Sequence, residues 1–127
     1  MSYSSEAIVQ PNEARAAPMQ EPDPRKSELA AFERATSGLI DNQDKSPSDQ
    51  AYLEALNLNR RLWSALESDL GSRENRLPDE LKAKLISVAM WVDRHSALVE
   101  QGKAKIDSLI EVNQTIMKGL QASTEFV

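Results

Sequence analysis

LPDELKAKLISVAMWVDRHSALVEQG, residues 77–102, is the stretch whose reading decides the fold. Pro78 fits a first helical residue, because its ring presets φ and its missing N–H costs nothing there. Asp79 and Glu80 follow in the first turn, where carboxylates meet the positive end of the helix dipole. Gly102 stands just past the last periodic residue, as a left-handed terminator would. Between them Leu81, Leu85, Val88, Val92 and Val99 recur at three, four or seven, which draws one apolar stripe. Ile86, Ala89, Met90 and Trp91 widen it. A helix apolar over more than half its girth has to be covered on more than one side. The pattern therefore predicts the central helix of a bundle.

The helices around it follow from the same signals. Asp23 as cap and Pro24 at the first position open a helix whose face carries Leu29, Phe32, Leu39 and Ile40, with Thr36 and Gly38 weakening its middle. Residues 42–47 read as a loop. Ser46-Pro47-Ser48-Asp49 then resembles a capping box with Ser46 as the cap, ahead of Leu53, Leu56, Trp63, Leu66 and Leu70 on one face. Gly71 closes that helix. Arg60 and Arg61 interrupt its apolar surface, and such a pair reaches solvent or acids on a neighbouring helix. After Gly102 and a short link, Ile106, Leu109, Ile110, Ile116, Met117 and Leu120 follow a three-four rhythm. Asn113 lies on that stripe, where a polar residue fixes register at a cost in stability. Links this short join antiparallel neighbours. The fold class is all-α, a compact antiparallel bundle of about four helices over residues 23–122. Residues 1–22, with three prolines and no apolar period, read as a flexible acidic tail, and residues 123–127 as a frayed end.

Composition narrows the chemistry. The 127 residues hold 40% hydrophobic but only 5% aromatic side chains, core material that suits helices. A net charge of −5 argues against nucleic acid as the main partner. The absence of cysteine removes disulfides, thiolate metal sites and cysteine nucleophiles. No run of about 18 apolar residues points to membrane insertion, and the start has neither the basic region nor the apolar core of a secretion signal, so the expected address is the cytoplasm. Asp93, Arg94, His95 and Ser96 hold the ingredients of a hydrolase triad, but helical neighbours point about 100° apart and cannot meet. One histidine without cysteine makes no familiar transition-metal site, and the four isolated glycines make no phosphate loop. The chain reads as a non-enzyme with no cofactor.

The order of residues adds to their pattern. NRRLWSALESDL (59–70), NRLPDELKA (75–83), IS (86–87), WVDRHS (91–96) and IDSLIEVNQTIMKGL (106–120) together resemble the FlaF family, flagellar biosynthesis regulators of alphaproteobacteria. The resemblance runs from residue 59 to 120, with a weaker likeness at residues 24–32. It implies a cytoplasmic accessory of flagellum assembly, needed for flagellin production and secretion. It further implies action with FlbT, the companion that restrains translation of flagellin mRNA. The resemblance brings no catalytic or ligand residue with it.

Two functions of different class follow. In the first, the bundle holds an amphipathic terminal helix of flagellin by its apolar face. Trp63, Leu66, Trp91, Val92 and His95 are the expected groove, with Arg94 as a rim charge. Ordinary core packing is the competing role for each apolar member. In the second, Arg60, Arg61, Arg73 and Arg76 touch flagellin mRNA, or the protein acts on translation through FlbT. A homodimer through the broad apolar face stays open.

Overall fold

In the computed structural model, residues 24–73 and 75–125 are described, with side chains over 28–73 and 75–119. The expected tail at 1–22, the cap at Asp23 and residues 126–127 lie outside them. Four helices run in order: α1 (Pro24–Asp41), α2 (Gln50–Leu70), α3 (Asp79–Glu100) and α4 (Asp107–Glu125). No strand occurs among the described residues. The all-α bundle expected from the periodicity is the observed fold.

Each helix packs mainly on its sequence or ring neighbour. α1 lies along both α4 and α2, and α2 lies along α3. The α3–α4 seam is the loosest of the four. α1 with α3, and α2 with α4, stand diagonally opposite without close backbone approach. The core is a continuous cluster that includes Phe32, Leu39, Leu56, Trp63, Val92, Val99, Ile106 and Leu109. Phe32 meets Trp63 edge to face at 5.4 Å and 86°, a geometry worth about 0.5–1.5 kcal/mol beyond area burial. Gly38 of α1 faces Ala55 of α2, where an added Cβ would meet the Ala55 Cβ at 3.7 Å, an ordinary van der Waals contact.

This arrangement corrects the expectation that α3 is central. α3 is an edge helix in the ring, leaning on α2. Its buried residues start only at Ala89 and continue with Val92, Ser96 and Val99. Leu81 stays 42% exposed and Met90 49%. An apolar girth shows that a helix can be covered widely, and here the cover on one flank is thin.

The helix ends also differ by a residue or more from the sequence reading. Pro78 is the cap of α3 rather than its first residue, and Asp79 and Glu80 occupy the first turn as expected. Asp49, not Ser46, caps α2: its Oδ1 accepts from the Ala51 N–H at 2.9 Å. Ser46 and Pro47 belong to the preceding turn, where Asp49 N–H donates to the Ser46 carbonyl at 2.9 Å. Gly102, at φ 75°, ends α3 as anticipated. Its N–H donates to the Val99 carbonyl and that of Lys103 to Leu98, the paired bonds of a Schellman turn. The backbone of α4 continues to Glu125, past Leu120 where the apolar rhythm stops.

Candidate functional site

Residues three and four apart share a helix flank. On α2 that principle groups Arg60, Ser64 and Glu67 around the buried Trp63. On α3 it sets Ala89, Met90 and Asp93 beside Val92. The two flanks face each other across a cleft of about 310 Å³, to which Arg94 adds its side chain. Trp63 (2% exposed), Ala89 and Val92 form an apolar floor. Met90 stands on the rim with half its surface free.

Charge frames the opening. Arg60 reaches across to Asp93 Oδ1 at 3.3 Å and Glu100 Oε1 at 3.2 Å, tying α2 to α3. Its neighbour Arg61 is exposed. Among the described residues Arg94 and Glu67 of the cleft lining have no ion-pair partner.

Of the six residues expected to form one groove, the fold brings three together: Trp63, Val92 and Arg94. Leu66, although three residues from Trp63, does not line the cleft. It follows Ala55 by eleven residues, three helical turns, and so shares the side that meets Gly38 of α1. Trp91 and His95 lie on the other side of α3. Their rings stack at 4.6 Å and 16°, and His95 Nε2 is 3.0 Å from the Lys105 carbonyl. A carbonyl only accepts, so that bond needs the proton on Nε2. The His95 ring is thus tied to the backbone of the link that follows α3.

Sequence reading missed the connections behind the floor. Trp63 Nε1 donates to Asn113 Oδ1 at 2.9 Å. The Asn113 amide donates to Thr36 Oγ1 at 3.1 Å and to Asn59 Oδ1 at 2.7 Å. Thr36, Asn59 and Asn113 are all buried. Asn113 announced itself as a polar residue on an apolar stripe. Thr36, read as a weak point of its helix, gave no such signal, and neither did Asn59. Two buried atoms, Asn59 Nδ2 and Ser96 Oγ, have no partner among the described residues. A second cleft, of about 620 Å³, runs between α1 and α4 along Leu29, Glu33, Thr36, Ile40 and Met117.

Among the described residues no helix is long and apolar enough to cross a membrane, and no cluster of three metal-ligating side chains occurs. No curated protein and no solved structure matches the chain. The profile of the family described as flagellar protein FlaF matches residues 12–120, and its span covers all four helices as far as Leu120. On that match, the chain belongs to the family of flagellar protein FlaF.

Proposed function

We propose that the protein is a non-enzymatic, cytoplasmic export chaperone for flagellin that promotes its synthesis and secretion together with FlbT. The observation that carries this reading is the α2–α3 cleft, with its apolar floor, its exposed Met90 and its Arg94, which has no ion-pair partner among the described residues. An amphipathic helix seats apolar side chains in such a cleft and keeps its polar face in water. Methionine suits the rim, because its unbranched thioether adapts to different side chains. Flagellin enters through the family: a subunit whose terminal helices pair during assembly needs them covered until export.

The alternative, direct contact with flagellin mRNA, has less support. Arg60 already holds Asp93 and Glu100, and the net charge of −5 opposes a phosphate backbone. Mixing the purified protein with flagellin and measuring complex mass by gel filtration tests the proposal. The expected result is a stoichiometric complex that forms without FlbT and is lost with Met90→Glu. No complex in the absence of FlbT would favour a scaffold role instead.

A further inference from the structure

The two clefts lie on different flanks of the bundle, yet one buried side chain touches the wall of both. Thr36 lines the α1–α4 cleft, and Trp63 floors the α2–α3 cleft. Asn113 bonds to each, at 3.1 Å and 2.9 Å. α2 and α4 do not approach closely through their backbones, so the Trp63–Asn113 bond is a diagonal strut across the core. Its third bond, to Asn59 at 2.7 Å, anchors the same amide to α2.

We propose that Asn113 and Thr36 are positioning residues for the Trp63 indole, and that they transmit changes at the α1–α4 cleft to the floor of the α2–α3 cleft. The chemistry is directional. Trp63 Nε1 can only donate, so Asn113 must turn its oxygen toward the indole and its NH₂ toward Thr36 and Asn59. Displacing the Thr36 hydroxyl removes one of the two acceptors that hold this orientation. The layer can re-pair rather than simply break, because Asn59 Nδ2 is a buried donor with no partner among the described residues. Buried and short, these bonds respond sharply to the loss of a member. The consequence for guest binding rests on the chaperone reading; the coupling itself does not.

The tryptophans supply both reporter and control. Trp63 sits in the layer, while Trp91 stacks on His95 outside it. In a nitrogen–proton correlation spectrum of the full chain, Thr36→Val is expected to shift the Trp63 indole N–H signal. Its solvent exchange should speed about tenfold, the scale of one lost buried hydrogen bond. Thr36→Ser should restore both, and the Trp91 signal should stay in place. Filling the cleft provides the second arm. Ser37→Cys is unique in a chain without cysteine, is exposed, and lies in the wall of the α1–α4 cleft. Its alkylation with N-ethylmaleimide should move the Trp63 signal in an otherwise wild-type chain and leave it unmoved when Thr36→Val is also present. A Trp63 signal indifferent to both Thr36→Val and alkylation would overturn the proposal. Movement of Trp63 and Trp91 alike, or an equal response to alkylation with and without Thr36→Val, would overturn it too, since either marks general loosening.

Discussion

Replacing Asn113 by leucine removes the polar layer at its centre while keeping the side chain's approximate size. Three hydrogen bonds are lost, each worth about 0.5–1.5 kcal/mol net. The Trp63 Nε1–H is then stranded in a side chain only 2% exposed, a penalty of about 1–3 kcal/mol that overlaps with the first loss. Burying the leucine returns about 1.5–3 kcal/mol. The balance is a destabilisation of about 2 kcal/mol, or a fall of about 1 M in the urea midpoint at the slope of a small domain. Urea unfolding followed by circular dichroism reads this directly. The same substitution in a Trp63→Phe background should cost less, by about 1–2 kcal/mol, because the stranded donor is gone. A midpoint unchanged or raised by Asn113→Leu, or an equal cost in both backgrounds, would refute the strut.

Other consequences follow from particular ends and charges. Asp49→Ala should cost about 0.5–2 kcal/mol by removing the cap on Ala51 N–H, and Ser46→Ala much less; urea midpoints of both variants compare them. Gly102→Ala meets no atom within 4 Å, so its cost is the backbone strain of φ 75° alone, about 1–2 kcal/mol by thermal unfolding. Burial, and secondarily Asp69, raise the pKa of Glu28 above its usual value. The folded state therefore binds that proton more tightly than the unfolded one. Stability from this group rises as pH falls through the raised pKa and levels off below the unfolded value, about 4.3. Glu28→Gln should accordingly raise the urea midpoint near neutral pH, with the difference shrinking in acid.

The number and order of helices were legible in the sequence because their apolar periods are long and their glycine and proline boundaries plain. Packing order was not legible. Leu81, Met90 and Trp91 make α3 look surrounded, yet periodicity records only how much of a helix could be buried. The short links allowed several rings of neighbours, and side-chain fit left the α3–α4 seam loose. The cap of α2 slipped from Ser46 to Asp49 because Pro47 and Ser48 fit the turn as well as the first helical turn. For the cleft, Trp63 and Val92 were found through size and stripe position. Leu66 followed the Trp63 stripe by period, but a stripe does not say which neighbouring helix each member faces; Trp91 and His95 flank Val92 in sequence yet lie on another side of α3. Arg60 and Arg61 were expected to reach solvent or acids on a neighbouring helix, and Arg60 takes the second course while Arg61 is exposed; the Thr36–Asn113 bond joins residues with no periodic relation to each other.

The central claim is that the α2–α3 cleft receives a helix of flagellin. Hydrogen–deuterium exchange of the protein alone and mixed with purified flagellin tests it where it is most exposed. The account predicts slower exchange in the complex over residues 60–67 of α2 and 89–94 of α3, with the turn at residues 101–106 unchanged. Protection confined to residues 29–40 and 114–118, or no protection anywhere at saturating flagellin, would contradict it.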